Sequence, residues 1–493
     1  ALLYLVTGKV EYARDVLRLL ELVRANTPNH AALSGFDLPD GHGQEYAGGI
    51  MSHPQCGAVP IQSTLFSYLA IRDTDLLTDA QRADYDQFFK HQAELLMQAA
   101  VLRGNNTPLD GVSNRNVPFA ANVAALTIAR AFPDDPAMQA LDARLWPTLE
   151  WQIGTWWEGD GGWGENTQGY GFAMLEALML LAETSARNEG VDLYAQSYQG
   201  RTIGRMCRFF LETAVPEGSV PALNDTSQFF LDPGLFRLCG YRSGDPELYF
   251  AEAFYDTGRF RAFGTDSSSY QTPFHQVAWA GLGGEPPAAP AFTSVLLADT
   301  GAAILRGGWE RDSAYALLQF TASRVHQEYS YGALYLFDHG PWLIGNGYHG
   351  QDAAPTDQHS TLSLDNRNQT FTGGEVAAFA DLGQAGIAGV TSRPYSGFEH
   401  TRLLLWNKTF GEWIVVDDAK GDANPHTLQQ RWYVWAVSTK QSENTWEFTH
   451  RGNAARLVIQ MLPGLPAAYT KISRSYDWEV WIGDAVGVRM DVD

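Results

Sequence analysis

Apolar positions recur at helical spacing through the first half of the chain and give way to short strand-like runs in the second. In YARDVLRLLELVRA (12–25) they fall every three or four residues, which predicts an amphipathic helix. The same period returns in 61–73, 79–101, 117–132, 136–153, 169–187 and 196–214. Stretches rich in Gly, Pro, Asn and Asp separate these runs: RGNNTPLDGVS (103–113), PDDP (133–136) and EGDGGWGENTQ (158–168). Helices of similar length joined by short loops predict a bundle or an α/α toroid, without a strict internal repeat.

The character changes after about residue 265. GGEPPAAPAF (283–292) reads as a linker. Beyond it come TSVLLAD, AAILRGG, YALLQFTA, GALYLFDHG, PWLIGNG, STLSLDN, TRLLLWNK, EWIVVDD, QQRWYVWAVS and ARLVIQML, each bounded by turn residues. That pattern predicts an antiparallel β-sandwich. The expected architecture is α+β and multidomain. An incomplete α/α toroid spans 1–265, a linker 266–292 and a β-sandwich 293–493, each half packed on its own, with a ligand groove between them.

Composition narrows the function classes. The chain has 493 residues, 45% of them hydrophobic, enough for large cores. Aromatics make up 12%, and aromatic faces suit sugar rings as well as cores. The net charge is −22 with no basic stripe, which excludes a nucleic-acid partner. No apolar stretch has the length of a membrane helix, so no membrane partner is expected. Cys56, Cys207 and Cys239 are odd in number and lack metal-type spacing. The opening ALLYLVTGKVEYARDVLRLLELVR reads as an amphipathic helix rather than a signal peptide.

Three segments could carry chemistry. Ser113-Asn114-Arg115-Asn116 opens an apolar helix, either as an N-cap or as donors aimed at an anion. The loop 158–168 holds Trp163 and Glu165, and Tyr170 opens the helix after it. Tyr170 is a packing residue or, beside a cation that lowers a pKa of about 10, a proton acceptor and donor. In SRVHQEYSYGALYLFDHGPWLIGNGYHG (323–350), His326, Glu328, Ser330 and Gly332 alternate along one strand. They form a solvated face, or a site for proton transfer or metal ligation. His359 begins a later strand.

Taken in order, these segments resemble the heparinase II/III-like and oligoalginate-lyase polysaccharide lyases. The likeness runs from LLYLVTGKVEYARDVLRLLE through DGGWGEN…GY and VPALNDTSQ (220–228). It continues in TGAAILRGGWERDSAYALLQF, the His326 strand, QHSTLSLDNRNQ and HTRLLLWNKTFGEWIVVDDAKG. The resemblance implies that Asn114 contacts a uronate carboxylate, that Tyr170 is the catalytic tyrosine and that His326 lies at the reaction centre. It implies a bacterial periplasmic or secreted location and an acidic polysaccharide substrate. The chain departs from the pattern in four places. Arg115 stands where several members have His. Glu328 and Ser330 replace a His and an Asp of the strand motif, and Asn346 replaces a metal-binding Asp. With His359, Glu328 and Asn346 would make a poorer site for a structural Zn²⁺ than for a harder cation such as Ca²⁺. No cofactor is required for the chemistry.

The implied reaction is β-elimination. Asn114 donates to the uronate carboxylate, and Arg115 or His326 adds positive charge. Tyr170 takes the C5 proton and protonates the departing O4. Arg cannot act as a second base on the opposite face of the ring. The expected elimination is therefore syn, which favours glucuronate or mannuronate. Asn116, Trp163, Glu165, Arg324, Tyr329, Tyr331 and Tyr348 are the expected substrate contacts. Arg103, Arg115, Arg201, Arg205, Arg324 and Arg393 would line the groove of so acidic a protein. The rivals are a glycoside hydrolase using Glu158, Asp160 and Glu165, and a non-catalytic glycan-binding protein.

Overall fold

The computed structural model describes residues 2–26, 54–102, 116–165, 168–221, 223–224, 229–230, 232–255, 282–284, 286–320, 328–346, 355–371, 373–422, 424, 426–434, 437–442, 445–449, 456–460, 467–474 and 485–492. Asn114, Arg115, Arg324, His326 and Tyr348 lie outside them.

The first half is helical: α1 (Leu2–Thr7), α2 (Val10–Asn26), α3 (Pro54–Leu69), α4 (Asp79–Leu102), α5 (Asn116–Ala131), α6 (Pro136–Trp156), α7 (Gln168–Asn188), α8 (Ile203–Thr213), α9 (Pro233–Ser243) and α10 (Pro246–Tyr255). A two-residue ladder pairs β1 (Ser219–Val220) with β2 (Phe229–Phe230). Local chemistry sets the ends. Asp135 accepts from the backbone N–H groups of Ala137 and Met138, and Pro136 starts α6. Asp232 caps α9 in the same way, and Gly244, at φ 66°, closes it. The expected helix over 196–214 begins only at Ile203. Gln199 and Gly200 take φ of 51° and 85°, which forms a tight turn, and Thr202 then caps α8.

α5 is buried along nearly its whole length, with α3, α4, α6 and α7 packed around it. This explains its apolar character on every face. Among the described residues, no helix is long and apolar enough to cross a membrane.

The second half is antiparallel sheet. Its first strands are β3 (Val295–Leu297), β4 (Ala302–Arg306), β5 (Tyr315–Gln319), β6 (Leu334–Phe337), β7 (Trp342–Gly345) and β8 (Leu362–Leu364). They are followed by β9 (Glu375–Leu382), β10 (Ala385–Tyr395), β11 (Phe398–Asn407), β12 (Glu412–Lys420) and β13 (Leu428–Val434). The last are β14 (Val437–Ser442), β15 (Thr445–Thr449), β16 (Arg456–Gln460), β17 (Ala467–Arg474) and β18 (Ala485–Val492). A nine-stranded sheet runs β17-β18-β13-β7-β6-β5-β4-β3, with β8 also on β13. A four-stranded sheet runs β12-β11-β10-β9, and a three-stranded one β14-β15-β16.

Within the large sheet, β4, β5 and β6 are buried on both faces. Ala302, Ile304, Tyr315, Leu317, Tyr335 and Phe337 join the core of the helices. Their neighbours Ala303, Leu305, Ala316, Leu318, Leu334 and Leu336 pack on Ala388, Val390, Leu404 and Trp406 of the four-stranded sheet. Two-sided burial is why AAILR, YALLQ and LYLF read as continuous apolar runs. Helices and sheet thus share one core.

Polar ties reinforce that seam. Arg306 lies 4.2 Å from the Trp309 ring and 5.0 Å from the Tyr315 ring. It donates to the carbonyls of Glu212 and Ala214 at the end of α8, where a helix favours a cation. Tyr315 Oη donates to Thr213 O at 3.1 Å, and Trp342 Nε1 to Glu217 Oε1 at 2.9 Å.

Candidate functional site

On the helical side the site is built around loop 158–165. A bridge pairs Trp157 with Trp163, and Glu158 N–H donates to Gly162 O at 2.8 Å. Gly161 sits at φ 88°, and a Cβ there would lie 2.5 Å from the Arg205 carbonyl oxygen. Only glycine fits that turn. Gly161→Ala is expected to lower stability by about 1–3 kcal/mol, read as a fall in melting temperature. Asp160 accepts from the backbone N–H of Thr300 at 2.8 Å and from its hydroxyl, which fastens the loop to the sheet half.

Trp163 is buried edge-on among Phe119, Trp156 and Trp157, with centroids 5.1–6.4 Å away. Its indole Nε1 donates to Glu165 Oε2 at 2.8 Å. Glu165 Oε1 accepts the Asn116 backbone N–H at 3.4 Å. This fully buried carboxylate therefore caps the start of α5, where the helix end is positive. It ties that start to the loop directly ahead of α7. Tyr170 is the third residue of α7 and lies half-buried at the rim of the core.

On the sheet side, residues 328–332 enter the large sheet. Glu328 and Ser330 are buried. Tyr335 on β6 is buried too, and burial, then the charge of Glu328, pushes its phenol pKa well up. Asn346, past the end of β7, donates Nδ2–H to Tyr335 Oη and accepts Ser360 N–H on Oδ1 at 3.5 Å. His359 is buried beside Ser360.

A charged knot lies behind this segment, between the two sheets. Arg402 and Asp417 face each other across β11 and β12 and form a two-point ion pair, both N···O distances 2.7 Å. His400 Nε2 lies 2.7 Å from Asp417 Oδ1, and Gln430 Nε2 donates to Oδ2. Arg402 Nη1 also donates to Gly332 O at 2.7 Å and Ser360 O at 2.9 Å. Burial alone would raise the Asp417 pKa. The charge and hydrogen bonds of Arg402, helped by His400, instead hold it far below the usual carboxylate range.

These positions revise several expectations. Trp163, Glu165 and Tyr331 are sealed from solvent and offer no surface to a sugar, so they support the site rather than touch substrate. Asn116 is buried and serves through its backbone N–H. Tyr329 remains half-exposed. Two of the three carboxylates considered for a hydrolase are already engaged, Asp160 by Thr300 and Glu165 by Trp163.

Arg201 donates to the carbonyls of Trp157 and Gln199, and Arg205 pairs with Glu212 at 2.8 Å, so neither is an idle groove cation. Glu328, Asn346 and His359 are all buried. The Asn346 amide is held by Tyr335 and Ser360, and among the described residues no group of three or more His, Cys, Asp or Glu could hold one.

The seam contact Asp160–Thr300 and the Arg402–Asp417 knot were missed. A signal for the knot existed. In FEHTRLLLWN, His400 and Arg402 keep the same register as Leu404 and Trp406, which places charges on a core face.

This fold is that of the heparinase III-type polysaccharide lyases, as the sequence resemblance implied. The structure of Heparinase III superposes with a TM-score of 0.70 at 13% identity, covering 99% of this chain and 72% of that one. Heparan sulfate lyase HepC from Pedobacter heparinus superposes at 0.64 and 18% identity, covering 99% of this chain and 71% of that one. In sequence, the chain is similar to the heparin-sulfate lyase of Pedobacter heparinus, 24% identical over 302 residues. That match takes in 58% of this chain and 41% of the relative, so it spans well under half of that enzyme. No protein-family model matches the chain.

Proposed function

We propose that this chain is a polysaccharide lyase that cuts a uronate-containing acidic glycan by syn β-elimination. In this reading the helices form an α/α toroid and the two larger sheets a β-sandwich, with the substrate groove between them. The observation that carries it is the Glu165 strap. One buried carboxylate links the helix start that follows Asn114 and Arg115 to the loop that precedes Tyr170. α5 and α7 pack directly on each other. A carboxylate donor and a phenol at neighbouring helix starts are what the elimination needs, since positive helix ends favour both the uronate and a phenolate.

Asn114 donates to the uronate carboxylate, and Arg115 and His326 stabilise charge on the enolate-like transition state. Tyr170 takes the C5 proton and returns it to O4 on the same face of the ring. The name of the relative, heparin-sulfate lyase, supports a sulfated glycosaminoglycan within this class. Such a substrate goes with a periplasmic or secreted enzyme.

A panel of heparan sulfate, glucuronan, mannuronate-rich and guluronate-rich alginate and dermatan sulfate tests this. A lyase leaves a C=C conjugated to the carboxylate, which absorbs in the ultraviolet; a hydrolase leaves new reducing ends without it. The glucuronate and mannuronate polymers are expected to be cut fastest. Preferred cleavage of the guluronate-rich or iduronate-rich polymers would overturn the syn assignment.

A further inference from the structure

Tyr329, one of the expected substrate contacts, has a neighbour that the sequence reading did not single out. Tyr329 and Phe371 stack with centroids 4.2 Å apart and planes 23° from parallel. Tyr329 is half-exposed between buried Glu328 and Ser330, and Phe371 is 39% exposed.

The loop under Phe371 is anchored on both sides. Thr370 N–H donates to Pro394 O at 2.6 Å, and Gln369 Nε2 to the carbonyls of Tyr331 and Leu362 at 3.1 and 3.2 Å. On the far side Gly374 N–H donates to Phe320 O at 2.7 Å, and Ser392 Oγ to Gly373 O at 3.0 Å. Phe371 thus stacks one face on Tyr329 and keeps 39% of its surface open, with hydrogen-bonded residues on either side of it in sequence. A ring held this way is preorganised for a flat apolar partner.

We propose that Tyr329 and Phe371 form an aromatic shelf that takes one sugar ring of the bound acidic glycan, the C–H face of the sugar lying on the exposed side of Phe371. This rests on the lyase reading. In sequence His326 lies three positions before Tyr329, which links the shelf to the segment that the lyase reading uses. Arg393 adjoins the Pro394 that anchors Thr370 and is 79% exposed, with Glu399 3.3 Å away. Stacking of this kind is equal in ground and transition state, so it acts on KM and not on kcat.

Phe371→Ala and Phe371→Trp, assayed on the polymer that the wild type cuts fastest, test the shelf. The Ala variant is expected to raise KM about tenfold with kcat and melting temperature unchanged, and the Trp variant to keep the wild-type KM. An unchanged KM in the Ala variant overturns the shelf. So does a loss confined to kcat, or a fall in melting temperature, since either means the ring only packs its loop. If the wild type cuts no polymer in the panel, the lyase reading fails by itself. Calorimetric titration of heparan sulfate oligosaccharides into wild type and Phe371→Ala then decides the shelf: weaker binding by the variant supports it, while equal affinity or no binding to either overturns it.

Discussion

Tyr170→Phe is expected to cut turnover by about 10²–10⁴-fold while leaving KM and the fold in place. The ring stays and only the hydroxyl goes, and Tyr170 sits half-buried at the core rim, where a phenyl packs as well as a phenol. Elimination needs a base at C5 and an acid at O4, and in this reading one oxygen does both. Removing it takes away an interaction made only as the proton moves, so the loss falls on kcat. Initial rates of ultraviolet absorbance, with a melting curve as control, decide it. Turnover within a few-fold of wild type would move the acid–base role elsewhere.

Asp417→Ala is expected to destabilise the protein by about 3–5 kcal/mol, the largest stability effect of a single side chain here. It strands the Arg402 guanidinium in the core between the sheets, with the carbonyls of Gly332 and Ser360 and the Trp432 ring 5.5 Å away but without its carboxylate. Urea unfolding monitored by circular dichroism measures the loss. The pH dependence follows from the depressed Asp417 pKa. An unfolded Asp binds its proton near pH 3.9, whereas the folded one holds it only at far lower pH. The stabilisation is thus complete above about pH 4 and is lost as pH falls toward the folded value. The acid slope of wild-type stability should be shallower in the variant. An equal slope, or a loss under 1 kcal/mol, would mean that the knot contributes little.

Local periodicity located α2 to α7 because apolar stripes, and caps such as Asp135-Pro136, are local, but it passed over the short helices α9, opened by Asp232-Pro233, and α10. It overran α8, because the Gln199-Gly200 turn depends on backbone signs that a hydrophobic pattern does not carry. The aromatic surplus was legible but its use was not. Trp163 went into a four-ring cluster and Tyr331 between the sheets, while Phe371, unremarked in the sequence, stayed exposed. Whether an acid is catalytic or structural depends on partners far along the chain, such as Thr300 for Asp160, and one sequence does not reveal them. Asn114, Arg115, Arg324, His326 and Tyr348 fall outside the described residues, so for them the resemblance remains the support.

Strands β4, β5 and β6 are a party wall, with leucines and tyrosines facing neighbours on either side. A substitution there that suits one tenant must also suit the other, so the helices and the four-stranded sheet have to drift together. Replacing either side alone would expose an oily surface matched to a partner left behind, whereas a ring or a charge in the loops around the seam can change without touching the wall.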